Sequence, residues 1–432
     1  MLKSVQIMLA IAAFYAYEIW QMDVKTAFLN GFLEEELYMM QPEGFVDPKG
    51  ANKVWKLQRS IYGLVQASRG WNKRFDSVIK AYGFIQTFGE ACIYKKMSGS
   101  SVAFLILYVD DILLIGNDIE YLDSIKGYLN KSFSMKDLGE AAYILGIKIY
   151  RDRSRRLIGL SQSTYLDKVL KKFKIDQAKK GFLPVLQGVK LSQTQCPTTA
   201  EDREKMKDVP YASAIGSIMY AMLCTRPDVC LAISLAGRYQ SNPGMDHWTA
   251  VKNILKYLKR TKDMFPVYGG DKELVVNGYA SFDTDPDDSK SQIGYVFTLN
   301  GGAVSWCSSK QRVMAGSTCE AEYIAASEAA NEGVWMKEFI FDLGVIPSAS
   351  GPMKIFCDNT GAIALAKESK FHKRTKHINR CFNSIRDQVQ VGDIDICKIH
   401  KDLNVIDPLT KPLPGAKHDQ HQNSMGVRII TV

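Results

Sequence analysis

Residues 103–116, AFLILYVDDILLIG, constrain this chain more than any other stretch. Two adjacent acids, Asp110 and Asp111, separate two runs of Leu, Ile and Val, each the length of a buried strand. The simplest structure for the pattern is a β-hairpin with both acids at its tip. Two like charges side by side at the end of an apolar hairpin are costly unless a cation neutralises them. Hard oxygen ligands suit Mg²⁺, which takes one or two carboxylates and leaves the rest of its shell to substrate phosphates. Asp is also a common turn former, so a solvated hairpin turn is the competing reading.

A chain of 432 residues has room for two or three domains, and 46% hydrophobic with 23% charged residues is the balance of an ordinary folded protein. The net charge of +9 allows a polyanionic partner. Nine Cys carry no CxxC pair and no His pattern completes a zinc site, so reduced, structural thiols in an intracellular setting are expected. The N-terminal MLKSVQIMLAIAAFYAYEIW reads either as a signal peptide or as a buried helix; Gln6 and the missing A-x-A site favour the helix. No segment reaches the roughly 18 uninterrupted apolar residues of a membrane span, so no membrane partner is expected.

In chain order, the pattern predicts a helix over 2–16, a strand over 17–24 ended by Asp23, and a short helical turn carrying Phe28. A lone Asp at a strand end is commonly a cap. Asp23 gains interest because in-line phosphoryl chemistry with two metals about 4 Å apart needs a second source of carboxylate. Phe28 then reads as a stacking surface beneath a nucleotide sugar, or as ordinary core. Apolar Trp71, Phe75, Val78 and Ile79 recur at helical spacing, with Gln66, Arg69, Lys73 and Arg74 near that helix's start. After the central hairpin come a helix over 119–133 and a second hairpin around RDRSRR. A basic helix over 163–180 follows, whose lysines suit a phosphate backbone or simply face water. Residues 181–210 read as a linker, followed by helices over 211–223, 227–239 and 246–262.

From about residue 272 the pattern becomes strands alternating with Gly and Asn turns. Then comes a long helix over 318–343, with Ser317 as N-cap and Glu320 at the capping-box position. A strand, a helix, the basic run KFHKRTKHINR, another helix and a last strand complete an α/β pattern. Its candidate metal acids are Glu322, Asp358 and Asp407.

The motifs QMDVKTAFLNG, EEELYMMQPEGF, RSIYGLVQASRGW, LYVDDILLIG, YASAIGSIMYAMLCTRPDV, STCEAEYIAASEA, CDNTGAIALAK, RTKHI and DPLTKPL together resemble the polymerase and RNase H region of a copia-type LTR retrotransposon Pol polyprotein. The resemblance covers nearly the whole chain. It implies an α+β reverse transcriptase palm with a YVDD hairpin and a helical thumb or connection, followed by an α/β RNase H-like domain. The implied boundaries are 1–180 for the palm, 181–270 for linker and thumb, 271–412 for the RNase H-like domain and 413–432 for a divergent tail. Asp23, Asp110 and Asp111 match the catalytic acids that hold two Mg²⁺, with Mn²⁺ as the substitute. Phe28, Gln66 and Tyr108 match nucleotide contacts, Phe28 being the aromatic that excludes a ribose 2′-hydroxyl. Leu145, Gly146 and Ile147 resemble the primer grip. Glu322, Asp358 and Asp407 match three of the four RNase H acids, which hold a second pair of Mg²⁺. Implied partners are an RNA template, a DNA primer, an RNA–DNA hybrid, dNTPs and other Pol or Gag products. The implied location is cytoplasmic, in virus-like particles, or nuclear.

Three features depart from the family pattern. Ser281 stands where the first RNase H acid is expected, with Asp283 two residues on and on the same strand face; a hydroxyl is a poor Mg²⁺ ligand, so hybrid cleavage is expected to be impaired. Only 22 residues precede Asp23, fewer than the family's fingers region, and Pro266 sits at an aliphatic strand position where it removes a ladder donor. These departures set a degenerate, non-catalytic remnant that at most binds nucleic acid against the polymerase reading. A cellular phosphotransfer enzyme is a third class, without a P-loop or kinase signature to support it.

Overall fold

The computed structural model describes residues 2–284, 290–368 and 384–430. The chain divides into two compact units: a contiguous one, Ala16–Ala142, and a split one made of Met1–Tyr15 and Tyr143–Val432.

The contiguous unit is built on a six-stranded antiparallel sheet. Its strands, in spatial order, are Ile85–Gln86, Ile93–Ser98, Ser101–Tyr108, Asp111–Gly116, Glu18–Val24 and Met135–Glu140. The two aliphatic runs of the sequence are the third and fourth strands, in unbroken register from Ala103↔Gly116 to Tyr108↔Asp111. Alternate residues along them point to opposite faces. Ala103, Leu105, Leu107, Ile112 and Leu114 pack in one core with Trp71, Phe75 and Ile79 of the Ala67–Ala81 helix and with Leu122, Ile125 and Leu129 of the Ile119–Ser132 helix. Phe104, Ile106, Leu113 and Ile115 are buried too, which explains why the runs are continuously apolar and not alternating. Asp118 caps the second helix by accepting from the Tyr121 N–H at 3.1 Å. A two-stranded ribbon, Tyr38–Met40 with Val54–Lys56, completes the unit.

The split unit contains a mixed five-stranded sheet. Gly302–Lys310, Ser291–Leu299 and Asn277–Thr284 are antiparallel neighbours; Met353–Cys357 and Ile394–Lys398 then add in parallel. The 26-residue helix Thr318–Leu343 packs on this sheet. Ser317 caps it by accepting from the Glu320 N–H at 3.2 Å, and Gly344 ends it in the left-handed conformation. Glu320 reaches back one residue further than a capping box requires, accepting from the Gly316 N–H at 2.8 Å. A second five-stranded sheet runs Val427–Arg428, Phe265–Tyr268, Leu157–Ser161, Ile147–Asp152, Tyr143–Ile144. A helical core from Ser163–Lys172, Tyr211–Cys224, Cys230–Gly237 and Met245–Arg260 accompanies it.

The N-terminal helix, Leu2–Tyr15, belongs to this split unit. Its residues Ser4 through Ala13 are all buried. The polar Gln6 inside that run donates to the Cys224 carbonyl at 2.9 Å, and Asn300 donates to the Ala10 carbonyl at 2.9 Å, so both amide N–H groups find acceptors in the buried interior.

Several expected elements change. The basic helix over 163–180 stops at Lys172. Lys174 turns left-handed at φ 56°, and the Ile175 N–H returns to the Leu170 carbonyl, which tucks Ile175 into the core. Lys179 and Lys180 therefore lie beyond the helix. The expected linker over 181–210 contains the helix Ala200–Lys207, with Thr199 accepting from the Asp202 N–H at 3.1 Å. The first strand of the mixed sheet begins at Asn277, not near 273. Residues beyond Pro414 form the helix Gly415–Ser424 and a strand that pairs with Phe265–Tyr268, setting Pro266 opposite Val427. The basic run around 370–380 lies outside the described residues.

Among the described residues no helix is long and apolar enough to cross a membrane.

Candidate functional site

Asp23 closes its strand directly opposite Asp111, and the Val24 N–H donates to the Asp110 carbonyl at 2.9 Å. The register of three strands thus brings the three predicted acids to one sheet edge, all half-buried. Burial, followed by the neighbouring Asp110 and Asp23 charges, raises the Asp111 carboxyl above its usual range. Gln21 opposes this by donating to Asp111 at 3.2 Å. Carboxylates on neighbouring strand ends are the donor type that a hard divalent cation takes, although among the described residues these three are not a group whose ligand atoms all lie within 4.8 Å of one another.

The turn that aims Asp110 is strained. Val109, a β-branched residue, has φ 55°, in the left-handed region that favours glycine. The indole Nε1 of the buried Trp71 donates to the Val109 carbonyl at 2.5 Å and holds the turn from below. Trp71 is therefore a supporting residue that its helical spacing marked only as core.

Around this edge, Phe28 lies on the Ala27–Asn30 turn with its ring 4.9 Å from that of Tyr62. It belongs partly to the core and partly to the surface. Gln66 precedes the Ala67–Ala81 helix and makes no side-chain cap. Tyr108 is exposed beside the acids. Leu145 and Gly146 form the two-residue turn between Tyr143–Ile144 and Ile147–Asp152, at φ 52° and 74°. The Tyr220 hydroxyl donates to the Leu145 carbonyl at 2.9 Å. This turn belongs to the split unit, whereas the three acids belong to the contiguous one.

A second acidic cluster lies within the split unit. Glu322, on the long helix, meets Cys357 and Asp358 at a strand end, with one ligand atom from each within 4.8 Å of the others. The Ser281 hydroxyl donates to Glu322 at 3.1 Å, and the Cys357 thiol to its other oxygen at 3.8 Å. Burial, then Asp358, pushes Glu322 up to about 8. Asp407 does not join this group. It is fully buried at the start of the Asp407–Thr410 helix, with Lys411 at 2.9 Å and Lys417 at 3.6 Å. Asp283 stays in register opposite Gln292, with no slip between it and Ser281. Two carboxylates, a thiol and a hydroxyl, with the remaining acid neutralised by two lysines, do not fit a pair of hard Mg²⁺ ions.

Sequence reasoning also missed a buried network in the TRPDV segment. Arg226 forms a two-pronged pair with Asp228, at 2.9 and 2.6 Å, and donates to Thr261. Tyr257 and Gln422 both donate to Asp228, at 2.6 and 2.8 Å. The adjacent opposite charges in the motif were its signal. Sequence alone does not show that they are buried, because the helices that enclose them come from distant sequence.

Comparison with known proteins matches residues 1–187 to the family described as reverse transcriptase (RNA-dependent DNA polymerase). The chain is 44% identical over 429 residues to the retrovirus-related Pol polyprotein from transposon TNT 1-94 of Nicotiana tabacum, covering 99% of this chain and 32% of that protein. It is 34% identical over 429 residues to the corresponding polyprotein from transposon RE2 of Arabidopsis thaliana, covering 98% and 28%. A putative transposon Ty5-1 protein of Saccharomyces cerevisiae is 34% identical over 315 residues, covering 72% of this chain and 100% of the relative. The chain thus spans about a third of the length of the two plant polyproteins. With a reverse transcriptase match over its first 187 residues and copia-type polyprotein likeness along nearly all the rest, this chain belongs to the reverse transcriptase family of retrotransposon Pol polyproteins.

Proposed function

We propose that the contiguous unit is the palm of an RNA-directed DNA polymerase and that Asp23, Asp110 and Asp111 are its catalytic acids. The observation that carries this is the strand register that sets these three acids side by side at one sheet edge, with the Asp111 carboxyl raised chiefly by burial and then by its two acidic neighbours. They would hold two Mg²⁺ ions, which when bound activate the primer 3′-hydroxyl and neutralise the departing pyrophosphate. The chain's own contribution is placement. The Val109 conformation and the Trp71 hydrogen bond fix the turn that carries Asp110, Gln21 hydrogen-bonds Asp111, and Phe28, Gln66 and Tyr108 are the proposed contacts to an incoming dNTP. An RNA template and a DNA primer are the proposed substrates, with the Leu145–Ile147 turn as a primer contact.

The mixed sheet with its long helix is proposed as an RNase H-like domain that cleaves a hybrid poorly or not at all. Ser281 in place of an acid, and Asp407 tied to Lys411 and Lys417, support this. The same observations favour a second reading, in which the chain binds nucleic acid without catalysis.

One experiment separates them. Purified chain with Mg²⁺ is given a DNA primer on an RNA template, and separately a labelled RNA–DNA hybrid. Extension that drops at least a hundredfold in Asp110→Asn, with negligible hybrid cutting, is expected. Salt-sensitive binding without extension establishes the second reading, and hybrid cleavage that stops in Glu322→Gln overturns the nuclease assignment.

A further inference from the structure

A cavity of about 540 Å³ opens in the split unit. One wall is the segment 184–191, which lays Pro184, Val185 and Leu186 against it. Leu231 and Ala232 of the Cys230–Gly237 helix and Ala250 and Ile254 of the Met245–Arg260 helix also line it. Asp283, Gln292 and Thr410 add polar lining. Its size and its largely apolar lining, with a few polar groups at defined points, are those of a small-molecule site.

The polar groups define what fits. Gln292 is buried and fully engaged. It donates to Ser234 at 2.9 Å and to Ser308 at 2.7 Å, and accepts from Arg238 at 2.5 Å, which fixes its side chain. Four charged side chains border the space: Lys190 and Arg238 against Asp246 and Asp283. With two cations and two anions the lining carries no formal net charge. The apolar part of the lining rewards an uncharged, largely apolar body, and Asn253 is among the polar residues that border it.

We propose that this cavity is a binding site for an uncharged, largely apolar small molecule about the size of two or three rings. Its occupant would neighbour the second acidic cluster: Asp283 lies two residues from Ser281, and Thr410 ends the short helix that Asp407 begins. The proposal does not depend on whether the chain extends a primer.

N-phenyl-1-naphthylamine, a neutral dye with three aromatic rings and one N–H, is the probe. Titrated into the full chain, it is expected to show a saturable, blue-shifted rise in fluorescence with one molecule bound per chain. Ala250→Trp and Asn253→Phe, which fill the cavity from half-buried helix positions, are each expected to weaken it at least tenfold. The sulfonated analogue, 8-anilinonaphthalene-1-sulfonate, is expected to bind at least tenfold more weakly. In the unaltered chain, dye is expected to slow amide exchange over 184–195. Binding that persists in both filled variants, absence of a saturable phase, or unchanged exchange over 184–195 each overturns the site. Equal or tighter binding of the sulfonate overturns the uncharged class. If a filled variant fails to unfold cooperatively, the exchange measurement decides.

Discussion

Val109 holds its left-handed conformation against the steric preference of a β-branched side chain. Replacing it with glycine removes a strain of roughly 1–3 kcal/mol. Val109→Gly is therefore expected to raise the urea midpoint of the contiguous unit while lowering primer extension, because Asp110 loses its fixed direction. Equal extension by both proteins shows that the turn does not aim the acid. Glu322 makes a pH-dependent contribution of opposite character. Its native carboxyl titrates at about 8, against 4.5 in an unfolded chain. Between those values the native state keeps a proton that the unfolded state lacks. Its stabilising contribution is complete below about 4.5 and falls as pH rises through the window, by up to roughly 1.4 kcal/mol per pH unit. In chelator, Glu322→Gln is expected to gain thermal stability relative to the unaltered protein at pH 8 compared with pH 5. A difference that is the same at both values assigns the slope to another group. The acids themselves were legible, because adjacent Asp residues between apolar runs break a strong pattern. The Val109 conformation was not, because nothing in a valine announces a left-handed turn; only the hairpin's two-residue loop requires it.

At the scale of elements, the Arg226–Asp228 pair ties together the helix after Cys224, the Met245–Arg260 helix and the helix Gly415–Ser424. Both side chains are wholly buried. Breaking such a pair by removing one partner leaves an uncompensated buried charge and costs about 3–5 kcal/mol. Asp228→Asn is expected to destabilise the split unit by that amount in urea, with the contiguous unit unaffected. A change below about 1 kcal/mol means that Arg226 is neutralised elsewhere. Strands and long helices were legible in the chain because hydrophobic period and caps are local. The Ser317 cap and the Gly344 stop define the long helix to the residue. Lys174 was illegible as a helix end because no glycine marks it, and the turn is fixed by Ile175 reaching the core. The helix Ala200–Lys207 was hidden by its polarity. It buries only Met206 and leans on its Thr199 cap.

At the scale of the whole molecule, the two units do not follow the chain in simple succession, since Leu2–Tyr15 joins the residues after 142. Lys3 pairs with Glu332 at 2.6 Å and the Tyr15 hydroxyl donates to the Val345 carbonyl at 2.7 Å. Deleting residues 1–15 is expected to speed amide exchange in Leu157–Ser161 and Gly302–Lys310, while the Ser101–Gly116 hairpin keeps its protection. Faster exchange in the hairpin instead refutes the assignment of the first helix. Sequence order could not reveal this grouping, because an apolar helix carries no label for the core it enters.

That discontinuity has a consequence for synthesis. Within this chain, the Leu2–Tyr15 helix is made before the surfaces that cover it. The contiguous unit completes at Ala142, but the surfaces that cover the helix come from the following 290 residues. At about 5–20 residues per second, the helix waits roughly 15–60 s with ten consecutive core residues uncovered. During that interval it is the nascent chain's natural binding site for a holdase chaperone.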